Sequence, residues 1–187
     1  MVIDRDEIAR LTVEYGGEWG INHTRRLLEL VSRIGAAREY DHEVTWLAAH
    51  LHDWGGYAPW ARPGVDHAAR STEVAADFLR ERACPQATLD LVLESIRTHH
   101  SGDPDRPIEA VLLSDADGLD FLGAVGVLRD FSKNPRDLRK AYDTVRKRRS
   151  SVPNRLCLDE SKELARTRLA QMDDVLAAFE QSSFGLF

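Results

Sequence analysis

Apolar residues recur at helical spacing along almost the whole chain, and this periodicity limits the fold more than any other feature. Alternating runs typical of strands are scarce, and the β-branched residues are scattered. Breakers such as Gly16-Gly17 and Gly55-Gly56, with Asn22 and Asp66 as N-caps, divide the pattern into segments. The predicted helices span about 4–14, 22–39, 42–53, 67–82, 87–99, 107–130, 136–148 and 159–180. We therefore expect an all-α fold, a single-domain helical bundle over residues 1–187.

Charge and cysteine usage narrow the class of protein. The formal net charge of −6 argues against a stable nucleic-acid partner, because phosphate backbones bind basic surfaces. Cys84 and Cys157 lie far apart and outside any CxxC pattern, so neither a disulfide framework nor a cysteine zinc site is expected. No apolar stretch approaches the roughly 20 residues that span a bilayer, and the segment MVIDRDEIAR does not resemble a signal peptide. We expect a cytoplasmic protein without a membrane partner, and the sequence is compatible with a homo-oligomer.

Several histidines and aspartates occupy positions that the helical periodicity assigns to the core. His23 and His52 share faces with apolar residues, and Asp115 and Asp117 interrupt the most apolar helix. A buried carboxylate needs a partner, because an isolated buried charge is very costly. Imidazole nitrogen and carboxylate oxygen together suit zinc, iron, manganese, cobalt or nickel. The pattern therefore predicts a cation held by His23, His52, Asp53 and an aspartate of the later helix, and periodicity alone does not choose between Asp115 and Asp117.

The order of these residues resembles the HD-domain superfamily of metal-dependent phosphohydrolases. The segment WLAAHLHDWGG resembles its His-Asp helix, and NHTRRLLELVSRIG resembles the preceding helix with the first histidine. The segment ESIRTHHSGD resembles the part that carries a later histidine, and LLSDADGLDFLGAVGVLRDF resembles the helix of the final aspartate. The resemblance covers about residues 20–132, and we expect the helices over about 136–181 to pack on this core.

The resemblance implies a set of metal ligands. Asp117 is preferred to Asp115 because the family's aspartate follows an alanine, here Ala116. Members with two metals add histidines, and His100 is an alternative to His99 for one of these places. His67 has a structural alternative, a hydrogen bond to a loop carbonyl at the start of a helix. The implied cofactor is one or two divalent cations per chain (Mn, Co, Ni, Mg, Zn or Fe), with the ligands His23, His52, Asp53, His67, His99 and Asp117.

The implied activity is hydrolysis of a phosphate monoester or phosphodiester, with a nucleotide or a related small metabolite as the phosphorylated substrate. Asp53 is the expected bridge between cations and the group that orients the attacking water. Arg26, three residues after His23, is expected to bind a substrate phosphate, with a plain surface arginine as the alternative. A di-iron oxygenase of the HD type and a non-catalytic metal-binding HD protein are the alternative functions.

The chain departs from the family pattern at two places. Gly118 stands where relatives often carry a basic residue after the Asp-Ala-Asp triplet, so one phosphate contact is missing. Residues 54–57 contain no acidic side chain, which argues against a specific deoxynucleotidase. We expect His42 and His50 to be structural. We also expect a packing role, with a base-binding pocket as the alternative, for Trp54, Tyr57 and Trp60.

Overall fold

The structure, a computed structural model, describes residues 3–187, so the first two residues of the predicted domain lie outside the described range. In this range the regular structure consists of eight α-helices and two short 3₁₀ segments, and it contains no strand. The predicted all-α class is confirmed. The elements are α1 (Arg5–Ile34), α2 (His42–Leu51), η1 (Trp54–Gly56), α3 (His67–Glu81), α4 (Gln86–Arg97), α5 (Ile108–Asp120), α6 (Gly123–Lys133), α7 (Leu138–Ser151), η2 (Val152–Arg155) and α8 (Asp159–Ser183).

None of the helices within residues 3–187 combines the length and the apolar character that crossing a membrane requires.

Helix α1 joins two segments that the sequence predicts as separate helices. The break is a single residue, Gly17, whose φ of 62° and ψ of −168° lie outside helical geometry. Glycine adopts a positive φ without the steric cost that a Cβ would bring. The helix resumes directly after this kink, so the predicted N-cap at Asn22 is wrong. Asn22 lies inside the helix, and its side-chain amide donates to Glu18 Oε2 at 3.1 Å.

The predicted helix at about 107–130 is two helices. α5 ends at Asp120 and α6 begins at Gly123, which adopts a φ of 77°. At Gly126 a Cβ would lie 2.1 Å from the carbonyl oxygen of Phe121, so the absence of a side chain lets the chain turn tightly there. The continuous apolar run concealed this break, although Gly123 and Gly126 are a signal for it.

The described residues up to Ala116 form one compact unit, and Asp117–Phe187 form another. In the first unit, α2 packs against α1 and α4, and α3 packs against α4 and η1. In the second unit, α6 packs against α7 and α8. The extent of a single domain over residues 1–187 therefore stays a prediction. The first unit buries apolar side chains that include Ile8, Leu27, Leu47, Leu79, Leu89 and Ile96.

Aromatic packing holds the glycine turn that follows α2. Trp54 is fully buried, donates from Nε1 to Thr12 Oγ1 at 3.1 Å, and stacks on Trp60 with ring planes 3° apart. The Tyr57 ring lies directly against Gly16. A Cβ at Gly16 would lie only 2.5 Å from the Tyr57 ring. Burial, followed by the charge of Asp53, raises the pKa of the Tyr57 hydroxyl. Trp54 and Tyr57 therefore act as packing residues. Their contacts hold the end of α2 against α1.

Candidate metal centre

The His-Asp pair lies at the end of α2, where the helix gives way to η1. His52 is the C-cap residue of α2, and Asp53 follows with φ −102° and ψ −2°. Within a continuous helix, neighbouring side chains would point about 100° apart. Both residues keep right-handed helical backbone angles, yet the tips of the two side chains approach each other, with His52 Nε2 3.4 Å from Asp53 Oδ2. The His52 side chain is buried, whereas that of Asp53 is 34% exposed.

His23, His52 and Asp53 form the first cluster of ligand atoms. Helix α1 places His23 on its buried face after the Gly17 kink, with Nε2 3.7 Å from Asp53 Oδ2. One ligand atom from each of the three residues lies within 4.8 Å of the others. Ligands that each bind a cation at about 2.0–2.3 Å lie roughly 3–4 Å apart, so these separations suit one shared ion.

The tautomer of the neutral His52 imidazole follows from its hydrogen bonds. Its Nδ1 lies 2.9 Å from the Ala49 carbonyl oxygen, which only accepts, so Nδ1 carries the proton and donates. The Nε2 atom is therefore the one with the lone pair. Within residues 3–187 this buried Nε2 makes no hydrogen bond. In an ordinary core histidine, a buried lone pair that accepts no hydrogen bond is costly. In a metal ligand the same arrangement is expected, because one ring nitrogen binds the metal and the other donates to a carbonyl.

A second cluster consists of His67, His99 and His100, again with one ligand atom from each within 4.8 Å of the others. His67 begins α3, and its side chain is 37% exposed. His99 and His100 follow the end of α4, and their ring centroids are 3.9 Å apart. The buried His99 lies with Nδ1 2.6 Å from the Ile96 carbonyl, so this nitrogen also donates. The structure thus groups both histidines that the sequence offered as alternatives, because the turn after α4 frees them from helical spacing.

Local capping positions His67. Asp66 accepts hydrogen bonds from the backbone N–H groups of Ala68 and Ala69, as predicted for an N-cap. The Ala69 hydrogen bond is the main cause of the lowered pKa of the Asp66 carboxyl. The cap fixes His67 as the first residue of α3 and therefore sets the direction in which the His67 side chain projects.

Asp53 lies between the two clusters. Its Oδ2 faces His23 and His52, and its Oδ1 lies 3.6 Å from His67 Nε2. A carboxylate with one oxygen toward each of two ligand groups has the geometry of a bridge between two cations. These His and Asp clusters are consistent with divalent metal binding.

Asp117 and Arg26 complete the predicted site residues. Asp117 is buried on α5, and its Oδ2 lies 4.0 Å from an Nη atom of Arg155. Asp115 on the same helix is also buried, so burial does not separate the two aspartates. Arg26 is half-buried on α1, about one turn after His23. The ligand role of Asp117 and the phosphate-binding role of Arg26 stay predictions.

Among residues 3–187, His42 and His50 lie in neither cluster. His50 stacks on Trp46 at 3.8 Å between ring centroids and donates from Nδ1 to the Trp46 carbonyl at 2.9 Å. Burial lowers the pKa of His50 to about 4, so its imidazole is neutral near pH 7. His42 packs against the Tyr40 ring at the start of α2. Both histidines have the packing roles expected of structural residues.

Comparisons with known proteins place this geometry in a family. A family model described as the HD domain matches residues 20–122. A predicted HD superfamily hydrolase from an uncultured Thermotogales bacterium is 24% identical, with a TM-score of 0.69 over 95% of this chain and 92% of the other. Bacillus subtilis YpgQ in complex with ADP is 22% identical, with a TM-score of 0.73 over 95% of this chain and 93% of the other. An HD-superfamily hydrolase from Bacillus thuringiensis is 18% identical, with a TM-score of 0.71 over 95% of each chain.

No curated protein shows significant sequence similarity to this chain. The solved structures confirm the predicted HD type of fold, and the family model confirms the predicted superfamily. Since that model covers more than half of the residues, with His23, His52 and Asp53 inside the match, this chain belongs to the HD domain family.

Proposed function

We propose that this protein is a metal-dependent phosphohydrolase that cleaves a phosphate monoester or phosphodiester of a nucleotide or related small metabolite. The observation that carries the proposal is the position of Asp53, with one carboxylate oxygen toward each histidine cluster. The likeness of the fold to HD-superfamily hydrolases supports the reaction class. The ADP complex of YpgQ supports a nucleotide as the substrate.

The residues present fit divalent cations. The buried lone pair of His52 Nε2 and the carbonyl-held Nδ1 atoms of His52 and His99 are the arrangement that imidazole ligands require. His23, His52 and Asp53 would hold one cation, and the family pattern adds Asp117 to that set. The second cluster, with Asp53 shared, would hold another. When bound, a divalent cation lowers the pKa of water toward neutrality and screens negative charge on the phosphoryl oxygens.

The protein side chains contribute positioning and charge. Asp53 is partly exposed, so its carboxylate can accept a hydrogen bond from the attacking water and orient it toward phosphorus. His23, His52 and His99 are buried, which keeps bulk water away from their lone pairs. His67 is the most exposed of the metal-ligating histidines proposed from the sequence, and in a one-metal enzyme its imidazole would exchange protons with the substrate. Arg26 would bind a non-reacting phosphate through its guanidinium.

The experiment begins with metal analysis of the purified protein by mass spectrometry. Nucleotides, other phosphomonoesters and phosphodiesters are then tested for hydrolysis with added Mn²⁺, Co²⁺, Ni²⁺ or Mg²⁺. We expect at least one cation to support phosphate or nucleotide release. His52→Ala and His42→Ala form a matched pair because His42 begins α2 and His52 caps its end. The first variant should lose the cation of the cluster that contains His52 and at least 100-fold in turnover, on the order of the loss of a catalytic group, and the second should retain metal and turnover.

The alternative functions give different results in the same experiment. About two irons per chain, with turnover that requires oxygen, would indicate an oxygenase. A metal-loaded protein that hydrolyses no phosphoester with any of the cations would contradict the proposed function and indicate a non-catalytic metal-binding protein.

A further inference from the structure

Two histidines of the second cluster, His99 and His100, lie inside a tight turn that follows α4. The backbone N–H of Ser101 donates to the carbonyl oxygen of Thr98 at 2.8 Å, which is the hydrogen bond that closes a β-turn. His99 and His100 are the two inner residues of this turn, and their ring centroids are 3.9 Å apart. The conformation of the turn therefore decides whether both imidazoles reach the same place.

A single guanidinium, that of Arg106, donates to both ends of this turn. Its Nη1 lies 2.6 Å from the carbonyl oxygen of Thr98, and its Nη2 lies 3.0 Å from the carbonyl oxygen of Ser101. Its Nε donates to the carbonyl of Asp103 at 2.7 Å, so the same group also holds the segment after the turn. Because a guanidinium is planar and rigid, its donors have a fixed spacing. Arg106 therefore fixes the separation of the two carbonyl groups that flank the histidine pair.

Helix α5 holds the same turn through a second donor. The hydroxyl of the buried Ser114 donates to the carbonyl oxygen of Ser101 at 2.7 Å. This oxygen thus receives hydrogen bonds from both Ser114 and Arg106, which matches the two lone pairs of a carbonyl. The turn is therefore attached to α5 as well as to the end of α4.

The acceptors of Arg106 distinguish it from other arginines of the first unit. Arg82 and Arg97 pair with the carboxylates of Glu7 and Glu94. Within residues 3–187, the acceptors of Arg106 are three carbonyl oxygens and the hydroxyl of Thr98, which lies 3.2 Å from Nη1. Charge-assisted hydrogen bonds are stronger than neutral ones. Because carbonyl oxygens belong to the backbone, these bonds constrain the path of the chain, whereas a bond to a flexible carboxylate side chain does not.

We propose that Arg106 is a positioning residue of the second cluster, and that it holds the turn in the conformation that presents His99 and His100 to a cation shared with His67. The inference rests on the proposed function, since it concerns the metal centre of that function. Arg106 acts through the backbone and is not itself a ligand, because a guanidinium has no lone pair to offer a cation. A turn held in advance also avoids the entropy cost of ordering its ligands when the cation binds.

The test is a calorimetric titration of the metal-free protein with Co²⁺, with the visible absorption of the bound ion as a second measure of its coordination. We expect the wild type to bind one ion at each cluster. Arg106→Ala should weaken binding at the second cluster by about 10–100-fold, the usual effect of removing a group that orients a metal ligand. Binding at the cluster of His23, His52 and Asp53 should stay unchanged. Arg106→Lys keeps the charge but not the fork, so it should retain part of the affinity.

The same titration in the His52→Ala background assigns the affinities, because only the second cluster should remain there. The matched control is Arg97→Ala, which removes an exposed arginine two residues before His99 that pairs with the Glu94 carboxylate. It should leave both affinities unchanged. Circular dichroism and thermal unfolding of the metal-free variants show whether each one keeps its fold, and if Arg106→Ala loses helicity, Arg106→Lys is judged by the same criteria.

Three results would overturn the inference. The first is equal Co²⁺ affinity at the second cluster in wild type, Arg106→Ala and Arg106→Lys. The second is an equal loss at both clusters, or a loss that Arg97→Ala reproduces, because Arg106 would then have only a general structural role. The third is a wild type that binds no ion at the second cluster, which would leave a one-metal phosphohydrolase intact.

Binding is measured without substrate, so the inference and the proposed function fail separately. A protein whose second cluster binds Co²⁺ in an Arg106-dependent way but which hydrolyses no phosphoester would contradict the proposed function alone.

Discussion

The two oxygens of the Asp53 carboxylate face different histidines, so Asp53 contacts both clusters. Oδ2 lies near His23 and His52, whereas Oδ1 lies near His67. The histidines contribute to one cluster each. At the scale of single residues, we therefore expect the chemistry of the proposed metal centre to depend most on Asp53.

Replacing Asp53 should empty both metal sites without unfolding the protein. Asp53→Ala removes a partly exposed side chain outside the helices, so helical content should stay near that of the wild type. Metal bound per chain should fall to near zero, and turnover should be abolished. His52→Ala, by contrast, should retain metal in the cluster of His67, His99 and His100. Mass spectrometry of the metal and circular dichroism measure both properties.

His42→Ala is the control for that experiment, because His42 lies in neither cluster. Full turnover in Asp53→Ala would reject the bridging role of Asp53. Complete loss of activity in His42→Ala would show that the ligand set is wrong.

At the scale of elements, the short η1 segment sets the relation between the His-Asp pair and α3. The backbone N–H of Gly55 donates to Ser71 Oγ at 2.9 Å. A Cβ at Gly55 would lie 2.3 Å from Ser71 N and 2.7 Å from the carbonyl oxygen of His67. At Gly56 the nearest such contact would be His67 Cβ at 3.9 Å. The two adjacent glycines therefore differ in how close they allow α3 to approach.

This difference predicts a large effect for one alanine substitution and a small effect for the other. Gly55→Ala should destabilise the protein by about 1–3 kcal/mol, the usual cost of overpacking, and should weaken the metal affinity of the cluster that contains His67. Gly56→Ala should change both properties little. Thermal unfolding and metal titration of the two variants provide the measurements, and equal behaviour of the pair would contradict the close approach at Gly55.

Element boundaries show where local sequence signals are sufficient. Asp66 caps α3 as predicted, because the carboxylate of an N-cap acts on backbone N–H groups two and three residues away. Asn22 does not cap a helix, since the preceding turn continues into the same helix after Gly17. The break between α5 and α6 depends on the tight approach at Gly126, which apolar periodicity does not encode. Capping is local, whereas the continuation of a helix through a glycine depends on what packs against it.

At the scale of the whole molecule, His50 links stability to pH. Its pKa is about 4 in the folded protein, against an ordinary value of 6.5, because burial disfavours the charged imidazole. Well above pH 6.5 the His50 imidazole is neutral in both states. As the pH falls from 6.5 toward 4, the unfolded chain binds a proton that the folded protein resists. The free energy of unfolding should fall across this window by up to about 3 kcal/mol from His50 alone.

Urea unfolding of the wild type and of His50→Gln at pH 7 and pH 4.5 measures this contribution. The variant should lose less stability between the two pH values than the wild type does, because glutamine does not titrate. Identical losses in both proteins would show that His50 is not held neutral by burial. The other histidines are present in both proteins, so the difference isolates His50.

The sequence by itself determined the helical class, the cap of α3 and the ordered set of His, His-Asp and Asp that identifies the HD domain family. These features depend on residue spacing and on contacts within a few positions along the chain. The tertiary structure decided that His100 joins His67 and His99, and that Asp53 faces two clusters. Periodicity specifies which face of a helix is buried, but the approach of distant segments depends on side-chain packing, which spacing along the chain does not record.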